Sequence, residues 1–528
     1  MKQIEDMKTA IEHTRLVREA LLADPHRPTY HFATPEDIGI PGDPNGAFYA
    51  NGRYHLMYLY ACRSDGFRWG HLSSHDLVHW RAHPDAIVPD ELDGGIFSGG
   101  AFVDSDGACY LTYWGLPVKD KHHGGIRIAR SADRHFERWE KFANHALACT
   151  ESGVLEVKAR GKASSFLGCA DPSNIWKKGR FYYLQTGNLC VLAKFKRDGL
   201  HKYTPEDLAK AQAPEDVRGD WVDLFRSQDL RKWEYRRRFY TRDASNRATA
   251  PDEDDMCPSF LPLPASKDGG APSGKHLQLF ISHNRGCQYY IGAYDRARDR
   301  FVPEQHGRMT WVDNTYFAPE ALVDGKGRQI MWAWLTDNRA DELRFGWSGV
   351  YGLPRVLWLR KDGALGMAPA PELEQLRCNP VRPRVARLSA RPGALAGVQG
   401  LSCEIRLRVA LPANGKAGLY VRANGDLSEY TRLEYDGARR ELVFDATRSG
   451  KQGRPVREAA PFALARGEAL DLTVFVDRGV IEVYANERQA ICRRVYPENG
   501  GERVLLYGTP GAKVRELTAY EMAPANFC

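Results

Sequence analysis

The sequence predicts an all-β chain, a five-bladed β-propeller followed by a C-terminal antiparallel β-sandwich. One three-part unit recurs five times between residues 43 and 360. Beyond residue 360 that unit stops, and short alternating segments separated by turn residues replace it. At 528 residues the chain also exceeds what one hydrophobic core usually serves, so two domains are expected.

The first part of the unit is a short strand opened by small or polar residues. Its copies are Asp43–Tyr49, Ser98–Val103, Ala170–Trp176, Cys257–Leu263 and Tyr316–Leu322. The second part is a Gly-containing turn that leads into a Tyr- or Leu-rich strand. Asn51–Gly52 precedes Tyr54–Tyr58, Asp106–Gly107 precedes Cys109–Tyr113, and Lys178–Gly179 precedes Phe181–Leu184. Ser273–Gly274 and Lys326–Gly327 play the same part before Leu277–Phe280 and Ile330–Trp332. Asn-Gly and Asp-Gly are strong hairpin signals, because Gly adopts the positive φ that tight turns require. The third part is a strand and a polar turn reading Ser-x-Asp-Leu-x-x-Trp, in Ser74–Trp80 and Ser227–Trp233, with a looser copy from Ser131 to Trp139. Inner strands starting near 43, 98, 171, 257 and 317 leave room for four-stranded blades with variable loops. Radial repetition of such sheets is a propeller, which leaves only short protected edges.

The remaining boundaries follow in order. Residues 1–26 are a helical lead, with apolar residues Met7, Ala10, Ile11, Leu16, Val17, Ala20 and Leu21 at amphipathic spacing. Charges throughout its first 24 residues argue against a signal peptide or a membrane span. Residues 27–360 form the propeller. Pro380, Pro383, Pro392, Gly393 and Gly397 mark 361–399 as a linker region. Residues 400–528 are the sandwich, with strands at Ser402–Val409, Ala417–Arg422, Tyr430–Tyr435, Glu441–Phe444, Asp471–Val476, Val480–Tyr484 and Arg503–Tyr507.

Composition excludes several classes. Hydrophobic content of 43% with 27% charged residues is ordinary for an ordered globular protein. The net charge of +7 is spread along the chain, and the basic runs Arg231–Lys232, Arg236–Arg238 and Arg439–Arg440 read as solvated strand faces. A nucleic-acid partner needs a clustered footprint and a recognisable module, so none is expected. The 11 cysteines include no CxxC spacing, which points to reduced thiols in a cytoplasmic protein without zinc. His122–His123 lacks carboxylates at useful spacing, and no metal or cofactor is expected.

Propellers gather the first residues of their inner strands around the axis. Asp43 opens blade 1, Asp171 opens blade 3, and each precedes a proline. An Asp-Pro pair alone is commonly a turn, but two at equivalent repeat positions suggest converging carboxylates. Glycoside cleavage needs such a pair, one carboxyl as nucleophile or base and another as acid.

From about Arg27 to the C-terminus the chain resembles glycoside hydrolase family 32, the invertase, inulinase and levanase group. The carrying segments are Tyr30–Phe32, Gly42–Gly46, Trp69–His71, Asp76–Trp80, Phe97–Gly99, Ala170–Pro172, Cys257–Pro258, Tyr316–Pro319 and Gly352–Arg355. Phe475–Arg478, Glu482–Tyr484 and Asn486 resemble the family's C-terminal signature. The resemblance implies that Asp43 is the nucleophile and that Asp171 stabilises the oxocarbenium-like transition state. It places Asn45, Trp69, Phe97 and Ser98 around the sugar.

Three positions depart from the family pattern: Gly42 replaces Asn, Ala170 replaces Arg, and Met256 replaces the Glu that serves as general acid. A thioether cannot protonate a leaving group. Asp254 shares the face of position 256 on an extended strand, whereas a bulge would bring in Asp255. Glu320, where the family usually has Gln, is a third candidate acid. His283–Asn284–Arg285 either reaches substrate or is a polar strand end, while Trp311 and Trp347 read first as core residues. The expected function is retaining, exo-acting hydrolysis of β-fructofuranosides such as sucrose or a fructan. The alternatives are a fructosyltransferase and a non-catalytic carbohydrate-binding propeller that has lost its acid.

Overall fold

The computed structural model describes residues 2–33, 40–62, 66–149, 155–159, 162–167, 169–188, 219–242, 248–250, 253–336, 339 and 344–525. Two compact units emerge, one drawn from residues 42–334 and 354–370, the other from 1–41, 335–353 and 371–527.

The first unit is the propeller. Blade 1 comprises Ile40–Ala50, Arg53–Cys62, Gly66–Ser74 and Trp80–Ile87, and blade 2 Ala101–Val103, Cys109–Gly115, Gly125–Ser131 and Glu140–Lys141. Blade 3 runs through Cys169–Pro172, Phe181–Asn188, Trp221–Ser227 and Trp233–Thr241. Blade 4 holds Met256–Pro264, Pro272–Ser282, Gly286–Asp295 and Arg300–Arg308, and blade 5 Tyr316–Val323, Gln329–Leu335, Arg355–Leu359 and Leu365–Pro369. Each sheet follows chain order, strand beside next strand.

The recurring Ser-x-Asp-Leu-x-x-Trp text has one physical meaning in all three copies. Asp76 Oδ1 accepts the N–H groups of Val78 and His79, and Asp229 Oδ1 those of Arg231 and Lys232. Asp133 accepts the N–H groups of His135 and Arg138 in the looser copy. Leu77, Leu230 and Phe136 sit at φ 64°, 62° and 55°, a region that side chains with a Cβ avoid. The indole N–H of Trp80, Trp233 or Trp139 donates to that residue's carbonyl and fixes the turn.

Apolar wedges fill the space between successive blades. Met57, Trp69, Leu111 and Tyr113 pack between blades 1 and 2. Ile126, Ile128, Leu184 and Phe225 do so between blades 2 and 3, and Tyr183, Phe239, Phe260 and Tyr290 between blades 3 and 4. Polar bonds close to the inner strands tie the ring. Thr112 Oγ1 donates to Ser173 O at 2.7 Å, and Asn174 exchanges two bonds with the Phe260 backbone at 2.9 and 3.0 Å. Between blades 5 and 1, Tyr54 Oη donates to Asp324 Oδ2 at 3.0 Å, so the ring closes on itself.

The second unit contains two six-stranded sheets. One orders Arg377–Val381, Lys513–Met522, Ser402–Ala410, Leu470–Asp477, Val480–Ala485 and Gln489–Arg494. The other orders Gly393–Ala394, Arg503–Gly508, Lys416–Ala423, Thr431–Asp436, Glu441–Asp445 and Arg457–Pro461. Residues 361–399 therefore are not a linker. Leu365–Pro369 is the outer strand of blade 5, while Arg377–Val381 and Gly393–Ala394 are edge strands of the two sandwich sheets. Proline is tolerated on an edge, where its missing N–H is not needed. Pro380 lies where the pairing of Arg377–Val381 slips register.

Helix Lys2–Ala23 forms as expected; Met7, Ile11, Leu16 and Leu22 are exposed, while Val17, Ala20 and Leu21 are half-buried. Among the described residues no helix is long and apolar enough to cross a membrane. Trp347 is fully buried, and its indole N–H donates to Asp24 Oδ2 at 2.9 Å.

A buried ion cluster joins Tyr30–His31 to the late signature residues. Asp477 accepts the backbone N–H groups of Thr29, Tyr30 and His31 at 2.7, 2.8 and 2.9 Å. His31 Nδ1 lies 3.0 Å from Asp477 Oδ2 and Nε2 3.3 Å from Glu482 Oε1. With a carboxylate on each nitrogen, both must carry hydrogens. Burial pulls the imidazole pKa down, but Asp477 and Glu482 outweigh it and raise it to about 9. The imidazolium's contribution to stability is thus complete below the ordinary 6.5 and disappears as pH rises through about 9. His31→Gln is expected to lower the denaturation midpoint below pH 6.5 and to lose much of that deficit above pH 9. Calorimetry across this range checks it, and a deficit that does not change with pH would remove the charge from the account.

Candidate active site

Asp43 comes from the inner strand of blade 1, Ser98 from the entry to blade 2, Asp171 from blade 3 and Cys257 from blade 4. Asn45 aligns the first two of these. Its Oδ1 accepts the Gly99 N–H at 3.1 Å, and its Nδ2 donates to Asp43 O at 2.9 Å. Gly46 N donates to Gly99 O at 3.3 Å, completing the seam. Gly46 has φ 49°, and a Cβ there would stand 3.0 Å from the Trp69 ring, so glycine lets this backbone lie on the indole. Ser98 Oγ is left to donate to Asp43 Oδ2.

The Cys257 thiol lies between the two acids, 3.5 Å from Asp43 Oδ2 and 3.3 Å from Asp171 Oδ2. Its place depends on a local fault in the inner strand of blade 4. Pairing with the next strand slips between Met256 and Ser259, and Cys257 sits at φ 48° before Pro258. Strain of this kind is stored where the surrounding structure over-determines it. The slip turns Cys257 towards the acids and leaves Met256 buried at 4% exposure.

Burial pushes the Asp43 carboxyl above its ordinary pKa, and Ser98, Cys257 and His283 pull it back in part. Asp171 is pushed up to about 6, first by burial and then by the charge of Asp43. Burial and the two carboxylates push the Cys257 thiol far up, so it stays protonated and acts as a donor. With a single S–H it serves one carboxylate at a time.

The other sequence candidates divide sharply. Phe97 is partly buried and packs on Phe67 with ring centroids 5.0 Å apart. Trp69 is 0% exposed, which corrects the expectation that it lines a sugar subsite: its indole fills the wedge between blades 1 and 2. Asn45, 2% exposed, acts as a backbone clamp. Glu320 Oε1 accepts the Ala47 N–H at 2.8 Å, latching blade 5 to blade 1, and burial raises its carboxyl pKa.

Asp255 does not join Asp43 and Asp171 either. Its backbone bridges to Asn188, and its carboxyl, without a partner among the described residues, lies in the field of Asp220 and Asp254. Asp254 meets His283: Oδ1 accepts the His283 N–H at 2.8 Å, and Oδ2 lies 2.5 Å from Nδ1. The imidazole in turn acts electrostatically on Asp171 and Asp43. Cys257 was legible only as part of a motif, and no sequence signal tells that its thiol bridges two acids. His283 carried a weak signal, a histidine at the end of a blade strand.

Gly42 stands where a Cβ would come within 3.2 Å of Leu59 Cδ2, and the side chain of Ala170 lies outside the described residues. Among the described residues no cluster of His, Cys, Asp and Glu suits a metal ion.

A ring of five sheets brings together two carboxyls drawn from different blades, Asp171 buried and Asp43 half-buried, the kind of pair that glycoside cleavage needs. The chain belongs to the glycosyl hydrolases family 32: the family's N-terminal domain matches residues 31–212 and 208–369, and its C-terminal domain matches 372–521. It is 25% identical to a fructan 1-exohydrolase of Bromus pictus over 92% of this chain and 85% of that protein. A β-fructofuranosidase, insoluble isoenzyme 7, of Oryza sativa subsp. indica is 27% identical over 95% and 89%. The fold of fructan 1-exohydrolase IIa from Cichorium intybus superposes with a TM-score of 0.78 at 22% identity, covering 96% of this chain and 98% of that one.

Trp69→Ala is expected to cost about 3–5 kcal/mol of stability, as for other buried aromatic truncations. A thermal melt beside a KM measurement checks this, and a stable variant with a raised KM would put the indole back in the subsite.

Proposed function

We infer that this chain releases fructose from the end of β-fructofuranosides, sucrose and fructans among them, by a retaining double displacement. The observation that carries the reading is the pair Asp43 and Asp171 converging on one thiol at the inner strands. The names of the relatives, fructan 1-exohydrolase and β-fructofuranosidase, support the substrate class.

Asp43 is the nucleophile. Its Oδ2 is held by Ser98 and Cys257, and an oxygen of the carboxylate attacks the anomeric carbon as the glycosidic bond breaks. The fructosyl ester so formed is hydrolysed from the opposite side, and configuration is retained. Asp171 stays ionised and stabilises the oxocarbenium-like transition state through the ring hydroxyls. A donor that serves a charged carboxylate weakens its nucleophilicity but keeps the oxygen in line. Cys257 is a weak donor and suits that compromise.

Sugar release from sucrose, inulin and levan, with Asp43→Ala as control, tests the reading. Wild type is expected to liberate fructose and the variant none. Fructose-lengthened products at the expense of free fructose would favour transfer to a sugar hydroxyl instead of water. Binding without any release would favour a carbohydrate-binding propeller.

The pH profile gives a second check. The raised pKa keeps Asp171 protonated to a higher pH than an ordinary carboxyl, so kcat/KM is expected to fall as pH drops below about 6. An acid limb near the ordinary carboxylate range of about 4 would detach the limb from this buried pair.

A further inference from the structure

Neither Asp43 nor Asp171 is free to protonate the departing oxygen, and position 256 holds a buried methionine. Asp255 faces Asp220, and Glu320 is engaged by the Ala47 backbone. We propose that His283, positioned by Asp254, donates the proton to the leaving oxygen and recovers one from water in the second step. The assignment rests on the fructosidase reading above.

The ring is fixed from several sides. His283 follows the strand Pro272–Ser282 in the tight turn before Gly286–Asp295. Its N–H donates to Asp254 Oδ1 at 2.8 Å, and its carbonyl accepts from Asn314 Nδ2 at 2.7 Å. The Phe317 ring meets the imidazole at 64° with centroids 5.8 Å apart. Since a carboxylate only accepts, Asp254 Oδ2, 2.5 Å from Nδ1, fixes a hydrogen there and leaves Nε2 on the other edge of the ring. The hydrogen bonds His283 makes among the described residues run through its N–H, Nδ1 and carbonyl, and the side chain keeps 16% exposure. Nε2 is thus left to meet substrate.

The charged groups that act on the imidazole are Asp254 from its own blade, Asp171 from blade 3 and Asp43 from blade 1. Blade 5 contributes Asn314 and Phe317, which carry no charge. Burial lowers the His283 pKa, but the three carboxylates outweigh it and hold it above 6.5. These carboxylates favour the imidazolium, the form that general acid catalysis requires.

The steps balance. An Asp43 oxygen bonds to the anomeric carbon, the glycosidic C–O electron pair goes to the leaving oxygen, and that oxygen takes the Nε2 proton. In the second step a water oxygen attacks the anomeric carbon and its proton passes to Nε2. The Asp43 ester bond breaks and both residues return to their starting states.

The test compares sucrose with β-D-fructofuranosyl fluoride, whose leaving group departs without protonation. His283→Gln is expected to lower kcat/KM on sucrose by about 10²–10⁴-fold and that on the fluoride by much less, the smaller loss reporting the missing charge beside Asp43 and Asp171. Retained fluoride kcat/KM also shows that the variant folds. Asp254→Asn keeps the acceptor for the His283 N–H but removes the charge, so the alkaline limb of kcat/KM should move to lower pH. Equal losses on both substrates in His283→Gln, undiminished sucrose hydrolysis, or an unmoved limb in Asp254→Asn would overturn the assignment alone. Wild type inert on both substrates would overturn the fructosidase reading and this assignment with it.

Discussion

Two carboxylates held against the same thiol, Asp171 buried and Asp43 half-buried, set the terms for the rest of the molecule. Taking a carboxylate out of water is costly, and a second one nearby raises the cost, which shows in the pKa of about 6 at Asp171. Such a site persists only if donors and an opposing charge are held in place by structure that cannot relax. Ser98 and Cys257 supply the donors, and the His283 imidazole supplies the opposing field. Each comes from a different blade or a different strand, so the site is a property of the closed ring and of no single sheet.

The ring enforces this arrangement through bonds near the inner strands. Asn45 locks blade 1 to blade 2 immediately beside Asp43 and Ser98. Asn174, three residues after Asp171, locks blade 3 to Phe260 of blade 4, three residues after Cys257, where regular pairing has resumed. Glu320 locks blade 5 to blade 1 through the Ala47 N–H. With the backbone so fixed, left-handed residues at Gly46, Cys257 and Ala318 can be tolerated, and two of them directly precede prolines. Some of the backbone strain therefore lies where the inner strands open, beside the acids.

The fold was legible because it is periodic. Hairpin turns of Asn-Gly and Asp-Gly type, the Asp-Leu-x-x-Trp turns and the alternation in the late strands are local signals, and each reappears as an element. The sandwich strands that escaped notice break alternation for a physical reason. Gln489–Arg494 is buried throughout even though it carries two arginines, because Arg493 pairs with Glu458 at 2.6 Å. Arg377–Val381 hides behind a proline that an edge strand accepts.

The site was legible in its two acids and opaque in its details. Asp43 and Asp171 could be found from equivalence of position. The direction of side chains near Met256 could not, because period-2 reasoning fails wherever a strand slips register. Alternation with position 256 points to Asp254, yet what gives it a place at the site is its bond to His283, a residue 29 positions away. Trp69 misled for a related reason. A tryptophan beside a sugar-site motif is equally suited to stacking on a ring or filling a wedge, and only the path of the Gly46 backbone across its face decides the matter.

The loss of a glutamate at position 256 therefore has a compensating logic in the charge balance. A glutamic acid there would be neutral before the reaction and would leave the two aspartates to be offset by donors alone. An imidazolium held by Asp254 adds a carboxylate and a cation together, so the local net charge is unchanged. The pair reaches across from the adjoining turn and does not depend on the slipped strand itself. Proton donation and charge compensation then fall to one side chain, and Asp254 sets both by fixing which nitrogen carries its hydrogen inward and how firmly the ring stays charged.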